Sequence, residues 1–581
     1  MSKTKDSIFF QNVREIRDLK QMLNESCRLF ADRPAVWIKK YKGGDFLPVT
    51  YRMLKHDVDA LGTRLLDMGL KGSSIALLGR GCYEWMVAYL AVVNGVGTIV
   101  PIDRELEGSA VQNLADRAEC DAIFFASEEM EKVSGLTGIR HKIEIDFYGD
   151  RTDLHEPLIY QNKEGFFHLK QLVEAGERLI QQGRRDFIDC KIDADAMAVL
   201  LFTSGTTGIP KGVMLNHRGI AINITDISRA IGVKPEDKNL SVLPIHHTYA
   251  CSFNLTFLYC GASVAYFEGL RYIVQNLNET QATYFVLVPL LAETLYEKIW
   301  KEIKKSGKEK IIRRAIAVNK KTRAIGLDFS RPLLRTSIDK FGGRLKTIIS
   351  AASALSPSLV RGFEDLGINV LQAYGLTETS PLITATPLDC RFRRKKAGST
   401  GVCNITGELR IDNPDEDGIG EVCFRGPNVM LGYYKMPEET EAVMEGDWFH
   451  TGDLGFLDRD GWLYLTGRMK NVIITKNGEN IYPEEIESVV KASPYVSECM
   501  VYAAKKNGSE TVGIQILPNL DHIRESREEE LTPDELQKLM KEIIADINEK
   551  MPNYKRIRSI VIRKEDFVRT TTNKIIRGKN I

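Results

Sequence analysis

The amino-acid sequence predicts an α/β protein with two domains of unequal size. Between residues 35 and 126, short apolar runs typical of buried strands alternate with segments whose apolar residues recur at helical spacing. Such alternation is typical of parallel sheets flanked by helices. Short strands and turns dominate residues 420–465, and a segment of about a hundred residues, a size that can fold alone, follows Gly467. We therefore expect a large N-terminal domain with a β-rich subdomain (1–467) and a small C-terminal α+β lid domain (468–581).

The elements of the first domain follow from these patterns in chain order. Extended segments are predicted at residues 35–39, 48–50, 73–79, 98–102, 121–126, 197–202, 241–243, 263–267 and 284–288. Helices are predicted near residues 54–68, from Tyr83, at 111–118, at 169–182 and after His217. Residues 301–323 depart from the alternation, because they are rich in Lys and Arg and helical in propensity. A solvated helical face is one interpretation of that segment, and cover for a membrane surface or an acyl tunnel is the other.

The lid domain has its own strand and helix signals. Strands are predicted at residues 472–475, 498–503, 512–517 and 559–563, and a helix at 484–491. A second helix is predicted after Thr532, because Thr532 and Glu535 form a capping box with Pro533 at the first helical position.

Composition excludes several functional classes. The 79 Lys and Arg nearly balance the 78 Asp and Glu, so the net charge of +1 gives no reason to expect nucleic-acid binding. The ten cysteines include no CxxC pair, which predicts neither a zinc site nor a disulfide framework and favours a reduced, cytoplasmic protein. The most apolar stretch, residues 86–101, is interrupted by Asn94, Gly95 and Gly97 and falls short of a membrane span. Residues 1–20 lack a signal-peptide core, so we expect any membrane contact to be peripheral, at the inner face of the membrane.

A loop rich in hydrogen-bond donors follows the strand predicted at residues 197–202. The loop consists of Thr203, Ser204, Gly205, Thr206, Thr207 and Gly208, and Lys211 adds a cation at its far end. Its glycines let the backbone approach an anion closely and its hydroxyls supply further donors, so the loop suits a phosphate group. It is not the P-loop of kinases and GTPases, because Lys211 follows Pro210 and precedes Gly212. A flexible linker is the alternative, but strand-like runs frame the loop on both sides.

The sequence LLFTSGTTGIPKGVMLNH (200–217) resembles the phosphate loop of the adenylate-forming superfamily, which includes acyl-CoA synthetases, luciferases and the adenylation domains of peptide synthetases. Further segments resemble motifs of the same superfamily in order, namely LQAYGLTETS (371–380), WFHTGDLG (448–455) and TTTNKIIRG (570–578). The resemblance therefore extends over nearly the whole chain.

The resemblance implies roles for the residues of the second motif. Gln372, Ala373 and Tyr374 would bind adenine, with the Tyr374 ring stacked on the base. Thr377 would hydrogen-bond the α-phosphate, and Glu378 would bind Mg²⁺, a hard cation held through carboxylates and substrate phosphates. Outside this context, a Tyr-Gly turn followed by Thr and Glu is an ordinary loop and helix cap.

The resemblance also assigns residues in the second half of the chain. Asp453 would accept from the ribose hydroxyls and Arg468 would add a second contact, although an Asx turn is the alternative for Asp453. Lys470 lies at the hinge position. Lys574 matches the mobile lysine that bridges the substrate carboxylate and the α-phosphate.

Two adjacent histidines lie between the phosphate loop and the adenine motif, in LPIHHTYA (243–250). His247 matches the family histidine that lines the approach of the acyl group and the thiol. We expect His246 to be structural or exposed.

The implied reaction has two steps and uses ATP, Mg²⁺ and CoA. A carboxylate attacks the α-phosphate of ATP to give an acyl adenylate and pyrophosphate, and the CoA thiol then displaces AMP. Lys574 leaves between the steps by rotation of the lid. The basic segment 301–323 is similar to an insertion of long-chain acyl-CoA synthetases, so a long-chain fatty acid is the expected acid, and a monomer or homodimer the expected assembly.

Several alternatives stay open at this point. Ala351, Ala352, Ser353 and Ala354 stand where relatives usually have Gly-Gly-Ala-Pro, and Asn477 where they commonly have Gly. The basic run Arg391, Arg393, Arg394, Lys395 and Lys396 could meet CoA phosphates or an anionic bilayer, or form a solvated loop. The acceptor could be a carrier protein instead of CoA, the acid could be an aryl or a short- or medium-chain carboxylate, and a catalytically silent binding protein is the rival from another class.

Overall fold

The computed structural model describes residues 13–41, 43–146, 165–203, 210–324, 341–353, 355–390, 393–474, 480–506, 509–527, 531–569 and 575–580. The chain forms two compact units. The first contains the described residues up to Glu408 together with Phe424–Phe449, and the second contains Leu409–Cys423 and the described residues from His450 onward. The domain boundary predicted between residues 467 and 468 stays a prediction.

The elements are numbered in chain order. The strands are β1 (Pro34–Ile38), β2 (Leu47–Thr50), β3 (Ser74–Leu78), β4 (Thr98–Ile102), β5 (Cys120–Phe125), β6 (His141–Glu144), β7 (Phe166–His168), β8 (Met197–Thr203), β9 (Lys211–Asn216), β10 (Lys238–Ser241), β11 (Ser263–Tyr266), β12 (Tyr284–Leu287), β13 (Thr347–Ser350), β14 (Asn369–Gly375), β15 (Leu382–Ala385), β16 (Gly401–Cys403), β17 (Glu408–Asp412), β18 (Gly420–Arg425), β19 (Gly432–Tyr433), β20 (Met444–Glu445), β21 (Trp448–Leu457), β22 (Trp462–Arg468), β23 (Ile473–Ile474), β24 (Asn480–Ile481), β25 (Val496–Lys506), β26 (Ser509–Pro518) and β27 (Ser559–Ile562).

The helices are α1 (Leu19–Phe30), α2 (Tyr51–Asp67), α3 (Tyr83–Ala91), α4 (Gly108–Arg117), α5 (Met130–Ser134), α6 (Leu169–Gln181), α7 (His217–Ile231), α8 (Thr248–Tyr259), α9 (Ile273–Thr280), α10 (Pro289–Lys305), α11 (Glu309–Ala324), α12 (Pro357–Asp365), α13 (Pro437–Glu441), α14 (Pro483–Lys491), α15 (Leu520–Arg527), α16 (Pro533–Glu549) and α17 (Arg577–Asn580).

Two sheets organise the first unit. One has the order β16-β15-β14-β13-β12-β10-β11-β1-β2, and its strands from β14 to β1 are parallel while β2, β15 and β16 join antiparallel. The other has the order β19-β9-β8-β4-β3-β5-β6-β7, with β9 and β19 antiparallel at one edge. The parallel strands and their crossover helices confirm the predicted α/β class.

The core of the first unit lies between its two sheets and includes helix α8. Helix α8 is buried from Ala250 to Tyr259, and its polar side chains Ser252, Asn254 and Thr256 are hydrogen-bonded inside the core. It packs against α7, β10 and β11. Residues of both sheets share one apolar cluster with these helices, including Leu201 of β8 and Ile349 of β13.

The second unit contains three groups of strands. Strands β17, β18, β21 and β22 are neighbours, β23 pairs with β24, and β25, β26 and β27 form a small sheet. Helices α14 and α16 pack their apolar faces into one cluster with that sheet. The predicted capping box is present, because Glu535 N–H donates to Thr532 Oγ1 while Thr532 N–H donates to Glu535 Oε2 at 2.8 Å.

Candidate functional site

The two ends of the predicted phosphate loop are held together by an antiparallel hairpin. Thr203, the last residue of β8, lies opposite Lys211, the first residue of β9. The apolar residues of β8 anchor this hairpin in the core, since Leu200 is fully buried. Ser204, Gly205, Thr206, Thr207 and Gly208 lie outside the described residues.

A tyrosine links the phosphate loop to the predicted magnesium ligand. The Lys211 Nζ lies 4.7 Å from the centroid of the Tyr433 ring, and the Tyr433 hydroxyl donates to Glu378 Oε1 at 2.9 Å. Pairing of β19 with β9 fixes this arrangement, because Tyr433 lies opposite Val213. Burial and the neighbouring Glu378 carboxylate raise the pKa of the Tyr433 phenol, so the hydroxyl stays a donor.

The segment that carries Glu378 is fixed by backbone contacts. Met430 N–H donates to the Glu378 carbonyl at 2.8 Å, and residues 377–379 form one 3₁₀ turn. Gly375 precedes the turn where a Cβ would lie 1.6 Å from the Pro381 carbonyl oxygen, so this position requires glycine. Thr377 and Glu378 are both half-buried.

The three adenine-motif residues differ in their surroundings. Tyr374 is buried with 8% of its surface exposed, and Ala373 is half-buried. The Gln372 amide donates to the carbonyls of Ala397 at 2.8 Å and Ser399 at 2.9 Å. The Gln372 side chain therefore holds a neighbouring loop in place.

A narrow apolar cavity lies beside Gln372 and Ala373. It has room for about one water molecule. It is lined by Ile227, Ile231, Phe253, Ile349, Leu371, Gln372, Ala373, Leu382, Ala385 and Thr386. An alkyl chain can enter only if these side chains move.

The predicted ribose residues meet in the second unit. Asp453 lies opposite Arg468 in the β21–β22 pair, and Arg468 Nε is 2.9 Å from Asp453 Oδ1. Glu421 supports the strand next to Asp453, since its Oε1 accepts from Gly452 N–H at 2.9 Å. Lys470 lies in the short turn that follows β22. Partial burial and the Arg468 guanidinium lower its pKa.

The two adjacent histidines differ in burial. His246 is only 5% exposed, so of the two expectations for it the exposed one is excluded, and its Nε2 lies 3.7 Å from Asp103 Oδ2. Burial lowers the pKa of His246, which favours the neutral ring. His247 is half-buried at the start of α8, and its ring centroid is 4.2 Å from that of His246.

The position where relatives usually have glycine carries an unusual backbone. Ala352 has φ of 75°, in the left-handed region that glycine adopts without strain. The alanine departure noted in the sequence therefore falls at a position whose conformation still suits glycine. Ala354, Asn477 and Lys574 lie outside the described residues.

The basic run after residue 390 is held by acidic partners of α12. Arg393 Nε donates to Glu364 Oε1 at 2.9 Å, and Arg394 Nη2 donates to Asp365 Oδ1 at 2.6 Å. These two arginines form ion pairs within the first unit, so the interpretation of the run as a freely solvated loop is wrong for them. Arg391 lies outside the described residues.

Tyr433 is the site residue that sequence reasoning missed. It lies in a stretch read only as a strand-like run, some 55 residues from Glu378 in sequence. The aromatic pair Tyr433-Tyr434 after Gly432 was the available signal, but it specifies no partner without the β9–β19 pairing.

Comparison with known proteins places the chain in a family. Residues 23–434 match the family described as AMP-binding enzyme, and residues 470–581 match the AMP-binding enzyme C-terminal domain. The chain belongs to the AMP-binding enzyme family. As a member of this family, it combines the large domain and the C-terminal domain in one polypeptide.

Curated relatives of this AMP-binding enzyme share about a quarter of its residues. It is 28% identical over 493 residues to long chain acyl-CoA synthetase 7, peroxisomal, of Arabidopsis thaliana, covering 82% of this chain and 70% of the relative. It is 27% identical to fatty acyl-CoA synthetase A of Dictyostelium discoideum, covering 90% of this chain and 82% of the relative. Another Arabidopsis thaliana relative is named long-chain-fatty-acid--[acyl-carrier-protein] ligase AEE15, chloroplastic. It is 27% identical, and the match covers 81% of this chain and 72% of the relative.

Solved structures share the fold. The anthranilate CoA ligase AuaEII in complex with anthranoyl-AMP aligns with a TM-score of 0.73 at 20% identity, covering 100% of this chain and 98% of that one. A Mycobacterium tuberculosis fatty acyl CoA synthetase aligns with a TM-score of 0.63 at 18% identity, covering 97% of each chain. Among the described residues, none of the helices has the length and apolarity that crossing a bilayer demands.

Proposed function

We propose that this AMP-binding enzyme is an ATP-dependent long-chain fatty acid:CoA ligase that forms AMP and pyrophosphate. The observation that carries the proposal is the match to relatives named long-chain or fatty acyl-CoA synthetases over 70% to 82% of their lengths. The arrangement of Lys211, Tyr433 and Glu378 supports the nucleotide half of the reaction.

Adenylation by this chain relies on positioning and charge. Lys211 and the hydroxyl- and glycine-rich loop hold the phosphates, and Thr377 donates to the α-phosphate, where negative charge develops. Lys574 is proposed to bridge the fatty-acid carboxylate and the α-phosphate. Asp453 and Arg468 are proposed to hold the ribose, and their ion pair at 2.9 Å keeps both side chains on one side of the β21–β22 pair.

The residues fit a magnesium ion. Glu378 offers a half-buried carboxylate whose position is fixed by the Tyr433 hydroxyl, and Mg²⁺ is usually held by one or two carboxylates together with substrate phosphates. When bound, the ion supplies positive charge that offsets the phosphate oxygens. Tyr433 keeps the carboxylate oriented toward the Lys211 end of the site.

The apolar cavity beside Gln372 and Ala373 is the proposed entry of the acyl chain. Its lining is mostly aliphatic, with Phe253 as its aromatic residue and Gln372 and Thr386 as its polar ones, and it adjoins the proposed adenine motif. Its narrowness means that a long chain must displace side chains such as Phe253 and Leu382 to enter.

Thioester formation requires that Lys574 withdraws before the thiol attacks. We propose that residues 468–581 rotate about Lys470 and that His247 lines the approach of the thiol. CoA is the proposed acceptor. Because one relative is named an acyl-carrier-protein ligase, a phosphopantetheine on a carrier protein is the second candidate.

The helical pair α10–α11 is the proposed peripheral membrane surface, through which an acid dissolved in lipid would reach the enzyme. Residues 289–324 carry eleven Lys and Arg against four Glu. Ile311 and Val318 project among these charges with 67% and 57% of their surfaces exposed. Basic helices with exposed apolar residues bind anionic lipid surfaces.

The test is carboxylate-dependent AMP formation over a series of acids of increasing chain length, with and without CoA. We expect AMP release to peak on long chains, to require CoA for turnover, and to collapse in Lys574→Ala. Replacing CoA by a holo carrier protein decides between the acceptors. Activity confined to aryl or short acids would remove the fatty-acid assignment. The absence of AMP release with every acid tested would favour a silent binding protein.

A further inference from the structure

Three neighbouring strands of the second unit bring together side chains that ligate metals. Asp412 ends β17, Cys423 lies in β18 and His450 lies in β21. One ligand atom of each lies within 4.8 Å of the ligand atoms of the other two. Cys423 is fully buried, while Asp412 and His450 are half-buried, so the cluster can be reached from solvent.

The separation of the sulfur and the imidazole nitrogen matches that expected around a tetrahedral zinc ion. Zinc binds sulfur at about 2.3 Å and nitrogen at about 2.0 Å, so a sulfur and a nitrogen ligand are separated by roughly 3.5 Å. Cys423 Sγ lies 3.4 Å from His450 Nδ1. Glu421 lies two residues before Cys423 on the same face of β18, and its Oε2 lies 2.8 Å from His450 Nδ1. A fourth ligand is therefore at hand.

We propose that Asp412, Cys423 and His450, with Glu421 as fourth ligand, form a binding site for a thiophilic divalent cation of the zinc class. The mixed sulfur, imidazole and carboxylate set selects such a cation over Mg²⁺, which prefers oxygen ligands alone. Arg410 is the positive group now next to the cluster, with Nε 4.0 Å from Asp412 Oδ1, and the cation displaces it.

The site is coupled to the residues of β21 next to Asp453, and this consequence rests on the proposed function. His450 directly precedes Thr451, Gly452 and Asp453 in β21. Glu421 links both parts, since Oε2 contacts His450 while Oε1 accepts from Gly452 N–H. A cation that draws the Glu421 carboxylate toward Cys423 and Asp412 lengthens the bond from Gly452 N–H to Oε1, so metal binding weakens ATP binding.

The binding test uses cobalt as a spectroscopic probe of the full-length protein in a non-thiol reductant. We expect one Co²⁺ per chain, with the near-ultraviolet sulfur-to-cobalt absorption that reports a thiolate ligand, and its displacement by Zn²⁺. Cys423→Ser removes this absorption, and Asp412→Asn weakens Zn²⁺ binding at least about tenfold. Cys403→Ser is the matched control, because it removes a half-buried thiol of the first unit. It is expected to leave the sulfur-to-cobalt absorption and the Zn²⁺ affinity unchanged.

Thermal unfolding of each variant without metal shows whether it is folded. Equal Zn²⁺ affinity in wild type, Cys423→Ser and Asp412→Asn, or the absence of the sulfur-to-cobalt absorption from the wild type, would overturn the site.

A second arm tests the coupling to ATP. Zinc is expected to raise the KM for ATP in wild type and Cys403→Ser but not in Cys423→Ser, and an equal rise in all three overturns the coupling. If no acid supports AMP formation, the proposed function fails while the cobalt spectrum still decides the metal site.

Discussion

Tyr433 connects two residues that the sequence places far apart, and its hydroxyl can be tested alone. Tyr433→Phe removes the donor to Glu378 while keeping the ring beside Lys211. A hydrogen bond to a charged group contributes roughly 1.5–3 kcal/mol, so we expect kcat/KM for ATP to fall about tenfold or more and the Mg²⁺ requirement to rise. Steady-state AMP formation over a range of Mg²⁺ concentrations measures both.

The neighbouring tyrosine is the matched control. The Tyr434 hydroxyl donates to the exposed Glu119 at 3.2 Å, outside the site. Tyr434→Phe is expected to change kcat/KM by less than about twofold, because exposed interactions of this kind contribute little. Equal losses in both variants would contradict the role given to Tyr433.

The left-handed backbone of Ala352 gives a prediction about stability. A left-handed conformation costs an L-residue roughly 1–2 kcal/mol, and the greater freedom of glycine in the unfolded chain offsets part of this. Ala352→Gly is therefore expected to raise the free energy of unfolding by about 0.5–1 kcal/mol, measured by urea denaturation. Ala351→Gly, at a buried residue without a positive φ, is expected to lower it.

At the scale of elements, the α10–α11 pair gives a prediction about lipid. The double variant Ile311→Asp and Val318→Asp replaces the two exposed apolar side chains with negative charges. We expect binding to phosphatidylserine-containing vesicles to fall about tenfold or more, since each basic residue at such a surface contributes about 1 kcal/mol and the new charges oppose it. Vesicle cosedimentation at two salt concentrations measures this.

The control replaces an exposed leucine elsewhere. Leu270 is 63% exposed on a short turn outside α10 and α11, and Leu270→Asp is expected to leave vesicle binding unchanged. Equal binding of wild type to pure phosphatidylcholine vesicles would speak against charge-driven docking.

How far the sequence predicts these elements depends on where their partners lie. The strand predicted at residues 241–243 is observed at Lys238–Ser241, because the apolar run continues past the point where pairing with β11 and β12 ends. Helix α1 was not predicted, since its face is defined by packing against α2, α7 and α8.

The candidate site residues also differ in how far the sequence predicts them. Residues within continuous motifs, such as Tyr374 to Glu378, were predicted because their order in the chain is their signature. Tyr433 needs the β9–β19 pairing, and the cluster of Asp412, Cys423 and His450 needs three strands side by side. No CxxC-like spacing could have predicted that cluster from sequence.

At the scale of the whole molecule, buried histidines give a pH dependence. His217 is 4% exposed and His246 5%, and burial lowers the pKa of each below its value of about 6.5 in the unfolded chain. The unfolded chain therefore binds more protons as pH falls through 6.5, so the free energy of unfolding is expected to fall between about pH 7 and pH 5.

A variant at a buried histidine tests the direction of this pH dependence of the free energy of unfolding. His217→Gln keeps an acceptor for the Leu19 N–H but cannot take up a proton, so its urea midpoint should fall less steeply with acid than that of the wild type. Intrinsic tryptophan fluorescence follows the unfolding, and a parallel slope in His217→Gln would contradict the assignment.

The narrow cavity beside Gln372 and Ala373 has a calorimetric consequence. Because it has room for only about one water molecule, an incoming alkyl chain releases water from its own surface and very little from the protein. The negative heat-capacity change of acyl binding should then grow with each added methylene of the ligand, while the enthalpy includes the work of moving the lining side chains. Chain-length preference in this enzyme would be a balance between these two quantities.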